Sequence, residues 1–211
     1  MSNESFIERL NTERSLVVVR APKIPDAVRL CQSLVAGGIS TVELTFTTPG
    51  VLKHLEYAVS NVGPHGVSVG IGTVLTAEQA RASIDAGAQF LVTPGLRPAV
   101  AEVATASSIP FCLGAMTPTE VGQALDLGSS IVKIFPAKQL GPRYLKDLQG
   151  PYPGVNLLPS GGIDAHNAKE YLDVGAVGVC CGSSVVPPAA VAAGNWTEIT
   201  ERASDFSRSL S

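Results

Sequence analysis

The chain has 211 residues, of which 45% are hydrophobic and 16% are charged, and its formal net charge is -3. This length suits one substantial core, and the composition is that of a folded globular protein and not of a disordered one. The charge argues against a nucleic acid as the main partner, because binding a polyanion requires clustered basic residues and the sequence has no such cluster. We therefore expect a single domain over residues 1–211.

The cysteines and the hydropathy of the chain favour a cytoplasmic protein that binds no membrane. Cys31, Cys112, Cys180 and Cys181 follow no regular spacing, so we expect reduced, buried thiols and no disulfide framework. No apolar run approaches the roughly 18 residues of a membrane span. The first ten residues carry charges where a secretory signal needs an apolar core.

The chain begins with a predicted amphipathic helix over residues 4–13, and apolar runs and helical patterns then alternate to its end. The predicted strands are residues 16–20, 41–46, 67–71, 89–92, 109–113, 131–134, 156–159 and 176–180. The predicted helices that follow them are residues 25–36, 51–61, 76–86, 97–106, 119–127, 143–148, 165–174 and 195–209.

Strict alternation of strands and helices predicts parallel strands joined by crossover connections. Eight units of about 25 residues each predict an α/β protein of the compact (β/α)8 TIM-barrel type, preceded by a short N-terminal helix. The alternative is an open doubly wound sheet. Its dinucleotide motif is incomplete, because Gly70-Ile71-Gly72 is not followed by a third glycine. In a barrel, catalytic groups lie at the C-terminal ends of the strands.

Lys133 interrupts the apolar run 131–134, which is otherwise typical of a buried strand. Side chains alternate along a strand, so Lys133 and Phe135 share one face. Burial favours the neutral form of a lysine, and a neutral amine attacks carbonyl groups to form a Schiff base. The alternative is a lysine at a strand end that reaches solvent along its aliphatic stem.

Glu43 is the only acidic residue of the predicted strand 41–46. It shares a face with Thr41 and Thr45, and we expect this polar face to line the barrel lumen. A carboxylate and an amine in one lumen suit a general acid/base and a nucleophile. The alternative is a structural ion pair between Glu43 and Lys133 that only neutralises both charges.

Two glycine-containing segments follow the last two strands, Ser160-Gly161-Gly162 and Gly182-Ser183. Glycine lets backbone N–H groups approach an anion, and the loops after strands seven and eight are the usual phosphate site of a barrel. Taken singly, each segment is also compatible with an ordinary turn. The three histidines have no ligand spacing, so we predict no metal site.

A series of motifs in fixed order resembles the bacterial class I aldolases of the 2-keto-3-deoxy-6-phosphogluconate (KDPG) and 4-hydroxy-2-oxoglutarate (KHG) type. The motifs are Val42-Glu43-Leu44-Thr45-Phe46, Gly70-Ile71-Gly72-Thr73-Val74-Leu75, Val92-Thr93-Pro94-Gly95-Leu96, Gly114-Ala115-Met116-Thr117-Pro118, Val132-Lys133-Ile134-Phe135-Pro136, Pro159-Ser160-Gly161-Gly162 and Gly182-Ser183.

The resemblance implies that Lys133 is the Schiff-base lysine, that Glu43 is the acid/base, and that Arg20 is the basic residue at the end of strand one. It implies pyruvate-side contacts from Thr73, Pro94 and Phe135, and phosphate contacts from Ser160, Gly161, Gly162, Gly182 and Ser183. It also implies a homotrimer without cofactor or metal. The chain departs from the family pattern at Thr47, where several members carry an arginine.

The reaction that the resemblance implies is cleavage of KDPG, a 2-keto-3-deoxy phosphosugar acid, into pyruvate and glyceraldehyde 3-phosphate. Two alternatives within this chemistry are the galactonate epimer of KDPG and unphosphorylated KHG. A third alternative is a barrel that binds a phosphorylated metabolite without catalysis. Such a barrel would keep the glycine loops but would not need Lys133.

Overall fold

The computed structural model describes residues 2–211. Its strands are β1 Ser15–Val19, β2 Thr41–Thr45, β3 Ser68–Gly72, β4 Leu91–Val92, β5 Phe111–Ala115, β6 Ile131–Ile134, β7 Leu157–Pro159 and β8 Val179–Cys181. Its helices are α1 Asn3–Glu13, α2 Ala27–Ala36, α3 Val51–Val62, α4 Ala77–Asp85, α5 Pro98–Ala106, α6 Pro118–Asp126, α7 Gly141–Gln149, α8 Ala168–Asp173, α9 Pro188–Ala193 and α10 Trp196–Ser209. Short 3₁₀ turns lie at Gly63–His65 and Ala137–Gln139.

The eight strands form one parallel sheet in the order β7-β6-β5-β4-β3-β2-β1-β8. The two ends of this sheet meet, because Ser160 forms a parallel bridge with Cys180 and the Val177 N–H donates to the Leu157 carbonyl at 3.0 Å. The sheet is therefore a nearly closed barrel with helices around it. The predicted (β/α)8 barrel with a short N-terminal helix is confirmed.

Within residues 2–211, α9 is the one α-helix that the sequence patterns did not predict. It begins at Pro188, directly after Pro187. Two consecutive prolines are typical of a loop, but proline is also favoured at the first helical position, because that position needs no N–H partner. The helix has six residues, too few to show a helical period in the sequence.

Side chains of the barrel separate into an outer layer and an inner layer, as alternation along strands requires. Val42 and Leu44 belong to the large outer cluster between the strands and the helices. The inner cluster contains Phe90, Cys112 and Ile131, among others. Glu43 alternates with these two residues on β2, which is consistent with the prediction that the polar face of this strand lines the lumen.

Helix α1 closes the N-terminal end of the barrel. Its Phe6 and Leu10 are fully buried in the inner cluster, and the Phe6 ring stacks on Phe90 with 4.7 Å between ring centroids. The carboxylate of Glu13 at the end of α1 accepts hydrogen bonds from Ser40 Oγ at 2.5 Å and Thr41 Oγ1 at 2.8 Å. These contacts leave the opposite end of the barrel as the open one.

A helix needs about 20 mostly apolar residues to cross a bilayer. The longest described helix, α10, has 14 residues. Over residues 2–211, no helix combines the length and the apolar character that a membrane span requires.

Candidate active site

A cavity of about 490 Å³ lies at the C-terminal ends of the strands. Ten of the residues singled out from the sequence line it: Arg20, Thr73, Pro94, Lys133, Phe135, Ser160, Gly161, Gly162, Gly182 and Ser183. The remaining one, Glu43, is fully buried beside Lys133. The fold thus brings together residues that are up to 163 positions apart, from Arg20 to Ser183.

Strand β6 holds Lys133 between Gly114 of β5 and Leu158 of β7. The lysine is only 6% exposed, so the alternative of a lysine that reaches bulk solvent does not hold. Its Nζ lies 3.9 Å from Glu43 Oε2 and 5.5 Å from the centroid of the Phe135 ring. The amine is therefore in the lumen, at the floor of the cavity, between one carboxylate and one aromatic ring.

The carboxylate of Glu43 is enclosed in the barrel without a hydrogen bond. Among the described residues, neither of its oxygens has a hydrogen-bond partner. Burial raises the pKa of this carboxyl above its ordinary value of 4.5, while the positive charges of Lys133 and Arg20 act in the opposite direction. A carboxyl group whose pKa is raised, beside an amine, is suited to both accept and donate a proton.

Gly72 provides the space that the Glu43 carboxylate occupies. A Cβ atom at position 72 would fall inside that carboxylate. The backbone of Gly72 is not in the left-handed region, so an alanine there would be excluded by this overlap and not by its own conformation. The glycine on β3 therefore allows the glutamate of the neighbouring strand β2 to extend across the lumen towards Lys133.

We expect Gly72→Ala to lower kcat by about 10- to 100-fold for any reaction in which Glu43 transfers a proton, because the added methyl group displaces its carboxylate and general acid/base catalysis depends on the position of that group. Gly63→Ala is the matched control, since a Cβ there meets only Val59 at 3.8 Å. The measurement is kcat for both variants together with their Tm. Normal kcat in Gly72→Ala would contradict the positioning role.

Thr73, which follows Gly72, has φ of 58°. A β-branched residue in the left-handed region is unusual and is held there by its surroundings. One partner is Arg20, whose Nη2 donates a hydrogen bond to Thr73 Oγ1 at 3.4 Å. The end of β1 and the end of β3 are thus linked at the rim of the cavity.

Thr47, at the position of the family arginine, does not line the cavity. It is exposed, and its Oγ1 lies 2.9 Å from Thr45 Oγ1. A substrate carboxylate would therefore need another cation on this side of the site. Arg20 is the arginine that lines the cavity within the described residues.

The glycine-containing segment after β7, Ser160-Gly161-Gly162, forms part of the cavity wall. Gly161 and Gly162 both have positive φ, 92° and 76°, so glycine suits the conformation at both positions. A Cβ at Gly161 would lie 3.1 Å from the Phe135 ring. Glycine here keeps the loop backbone against the wall of the cavity.

Several cavity residues were missed by the sequence analysis: Val18, Lys138, Asp164, Cys180 and Ser184 line it as well. Lys138 lies in the 3₁₀ turn Ala137–Gln139 just after the lysine strand. Its position as the first charged residue after Lys133 was a signal that could have identified it. Cys180 is buried, which raises the pKa of its thiol to about 12.

Over the described part of the chain, no group of three or more His, Cys, Asp or Glu side chains is arranged to hold a metal ion. The four cysteines are free and buried.

A family model described as KDPG and KHG aldolase matches residues 6–202 of the chain. The 2-dehydro-3-deoxy-phosphogluconate aldolase of Treponema pallidum is 38% identical over 197 residues, which cover 93% of this chain and 93% of the relative.

The chain is also similar to solved structures of KDPG aldolases. A KDPG aldolase of Legionella pneumophila, with pyruvate captured as a covalent carbinolamine intermediate, is 33% identical at a TM-score of 0.83, covering 92% of this chain and 95% of that one. The KDPG aldolase of Zymomonas mobilis with 3-phosphoglycerate is 32% identical at a TM-score of 0.82, covering 95% of this chain and 94% of that one. Because the family model spans most of the barrel, the chain belongs to the KDPG and KHG aldolase family, as its motifs predicted.

Proposed function

We propose that this enzyme is a class I aldolase that cleaves KDPG into pyruvate and glyceraldehyde 3-phosphate. The observation that carries the proposal is the pair in the lumen: the 6% exposed Lys133 with its Nζ 3.9 Å from the fully buried Glu43 carboxylate. A site of this kind suits Schiff-base chemistry on a ketone. The name of the Treponema pallidum relative and the carbinolamine in the Legionella pneumophila structure support the same reaction.

In the proposed mechanism, the Lys133 amine attacks the C2 ketone of the substrate and forms a carbinolamine. Loss of water gives an iminium, whose positive charge accepts the electron pair as the C3–C4 bond breaks. Glyceraldehyde 3-phosphate leaves, and the remaining enamine is protonated at C3. Hydrolysis of the resulting iminium releases pyruvate and regenerates the amine.

Glu43 is the proposed proton carrier. It is the carboxylate paired with Lys133, and its oxygens have no other described partner. The carboxyl would donate the proton that turns the carbinolamine hydroxyl into water, and the carboxylate would take the C4 hydroxyl proton as the C3–C4 bond breaks. A purely structural ion pair would not require the carboxylate oxygens to be free of hydrogen bonds from the surrounding barrel.

The substrate would lie across the cavity from Arg20 to the glycine segments. Arg20 is the proposed partner of the substrate carboxylate, with Thr73, Pro94 and Phe135 around the pyruvate half. The phosphate would lie against the backbone of Ser160-Gly161-Gly162 and Gly182-Ser183, where small residues allow N–H groups to approach an anion. These roles are proposals that rest on the positions of the side chains in the cavity.

The alternative substrates are KHG, which shares the family description, and the galactonate epimer of KDPG. An epimer differs only in the placement of one hydroxyl, and the discrimination depends on a few contacts. KHG lacks the phosphate, so it would leave the glycine segments without a ligand. The presence of two such segments in the cavity is the observation that favours a phosphorylated substrate.

Pyruvate release from a panel of acids tests the proposal. We expect the highest kcat/KM for KDPG, a lower value for its galactonate epimer, and a value at least 100-fold lower for 2-keto-3-deoxygluconate, which lacks the phosphate. A hundredfold corresponds to about 2.7 kcal/mol of binding energy, a reasonable contribution for a phosphate held by several N–H groups. Equal kcat/KM for KDPG and 2-keto-3-deoxygluconate would contradict the proposed phosphate site.

We also propose a single catalytic domain over residues 1–211, present in the cytoplasm as a homotrimer. The barrel core supports a single domain, and the free, buried cysteines suit a reducing compartment such as the cytoplasm.

The homotrimer follows from the resemblance to the family, and sedimentation equilibrium tests it. A monomeric mass in solution would contradict it.

A further inference from the structure

Lys138 places a positive charge at the glycine-rich end of the cavity. We propose that its ammonium binds the substrate phosphate and makes Lys138 a specificity-determining residue of this enzyme. This inference rests on the proposed function and extends it, because it assigns the recognition of the phosphate to a side chain in addition to the backbone of the loops.

The backbone of Lys138 is fixed against the proposed phosphate loop. The Lys138 N–H donates to the carbonyl of Gly161 at 3.1 Å, and the Ala137 N–H donates to the carbonyl of Ser160 at 2.7 Å. The 3₁₀ turn that follows β6 is thus hydrogen-bonded to the segment that follows β7. Movement of one segment would move the other, so the lysine keeps its position relative to the loop.

The stem of Lys138 lies along Gly162. A Cβ atom at Gly162 would be 2.5 Å from the Cδ and 2.6 Å from the Cβ of Lys138, so the lysine fills the space that a side chain at position 162 would take. The stem passes over the glycine from Cβ to Cδ, and Lys138 also lines the cavity. Lys138 is an exposed residue, and its ammonium is two bonds beyond the Cδ that lies against Gly162, within reach of an anion bound at the loop.

Lys138 is also the cation of this cavity that has no partner. Lys133 is paired with Glu43, and Arg20 donates to Thr73. Within residues 2–211, none of the salt bridges involves Lys138. The acidic residue of the cavity lining is Asp164, and its Oδ1 accepts a hydrogen bond from the His166 N–H at 2.9 Å.

A phosphate monoester carries close to two negative charges at neutral pH, and neutral N–H groups offset these charges only in part. A lysine ammonium is a mobile point charge with three donors, which suits a phosphate oxygen at the edge of a backbone cradle. Lys138 thus supplies a cation at the proposed phosphate end of the cavity, while Arg20 supplies one beside Thr73.

A structural role is the competing explanation, since the stem covers Gly162. Lys138→Met separates the two roles, because methionine retains an unbranched apolar stem and removes only the charge. Lys138→Arg retains a charge. Lys53→Met is the matched control: Lys53 is an exposed lysine of α3, and its replacement changes the net charge of the protein by the same amount.

The experiment measures pyruvate release from KDPG and from 2-keto-3-deoxygluconate for the wild type and the three variants. For Lys138→Met we expect kcat/KM for KDPG to fall about tenfold, mainly through KM, which is the size of one hydrogen bond between charged groups. Its kcat/KM for 2-keto-3-deoxygluconate should change less than twofold. Lys138→Arg should recover most of the loss, and Lys53→Met should match the wild type on both substrates.

Inorganic phosphate is a second probe that needs no turnover. Its dissociation constant, followed by NMR titration, should rise about tenfold in Lys138→Met and remain unchanged in Lys53→Met. Equal losses on both substrates in Lys138→Met, or unchanged phosphate affinity, would overturn the inference and assign Lys138 a structural role. Failure of the proposed function would look different: the wild type would release pyruvate from neither substrate, while the phosphate titration would still report on Lys138.

Discussion

Lys133→Ala should release no pyruvate from KDPG above background, and it should form no covalent adduct when pyruvate and borohydride are added together. Borohydride reduces the iminium between an amine and a ketone to a stable secondary amine, so the wild type should gain one reduced pyruvate unit per chain by mass spectrometry. Removal of the amine removes the nucleophile and the electron sink together. No other lysine can replace it, because the second lysine of the cavity, Lys138, is in the turn beyond β6.

Lys133→Arg distinguishes the loss of the nucleophile from the loss of the charge. An arginine retains a positive charge for Glu43 but stays protonated and does not attack a ketone. We therefore expect it to be as inactive as Lys133→Ala, and Lys53→Ala to be trapped and active like the wild type. Circular dichroism and Tm establish that each variant is folded. An adduct that persists in either Lys133 variant would contradict the assignment of the Schiff base.

Glu43→Gln should retain the amine and lose the proton carrier. We expect the borohydride-trapped adduct to form slowly and kcat for KDPG to fall by roughly 10² to 10⁴, the usual contribution of general acid/base catalysis. Glutamine is close to glutamate in shape, so the packing against Gly72 is maintained. Normal turnover in Glu43→Gln, with Lys133→Ala inactive, would show that the carboxylate is only a charge partner and that the proton travels by another route.

Glu43→Gln should also raise the free energy of unfolding near neutral pH. Burial raises the folded-state pKa of Glu43 above its ordinary value of 4.5, so the folded protein binds a proton more tightly at this site than the unfolded chain does. Glu43 therefore makes its full contribution to the free energy of unfolding below the pKa that it has in the unfolded chain. This contribution is lost as the pH rises through the pKa that Glu43 has in the folded protein. A glutamine has no such loss, because it does not titrate.

We therefore expect Glu43→Gln to have the higher Tm at pH 7 and a Tm close to that of the wild type near pH 4. A gain of about 1 kcal/mol would raise Tm by roughly 2–4 °C for a protein of this size. Thermal unfolding of the two proteins across this pH range is the measurement. A lower Tm for the variant at pH 7 would mean that the ion pair with Lys133 outweighs the burial of the carboxylate.

The strand positions were predictable because each strand is a short, mostly apolar run bounded by turn residues. The two charged residues within the described strands, Glu43 and Lys133, fall on the inner face. The end of each strand then determined which residues would meet at the cavity. Strand β4 was predicted two residues too long, since only Leu91–Val92 have strand geometry. Boundaries depend on hydrogen bonds to neighbouring strands, which a single segment does not show.

The roles of Gly72 and Lys138 were not predicted, although the position of Lys138 as the first charged residue after Lys133 was a signal for it. Each depends on a distance between segments that are far apart in the chain, 29 positions for Glu43 and Gly72 and 24 for Lys138 and Gly162. Glycine in a strand indicates close approach of another group but does not identify that group. Similarly, α1 was predicted as a helix, yet its closure of the barrel is apparent only from contacts such as that between Phe6 and Phe90 and the burial of Leu10 in the inner cluster.

The seam between β1 and β8 joins the first strand of the chain to the last. Residues on both sides of it reinforce the seam, since the Val179 N–H donates to the carbonyl of Arg14 at 3.0 Å and Arg14 Nη1 donates to the carbonyl of Leu210 at 3.1 Å. On the ribosome, a growing chain without β8 would leave one side of the lumen open to water. Cys180, Cys181, Gly182 and Ser183, which belong to β8 or follow it, form part of the cavity wall. The cavity around Lys133 is therefore complete only after β8 has paired with β1, so the substrate site forms late in the folding of the chain.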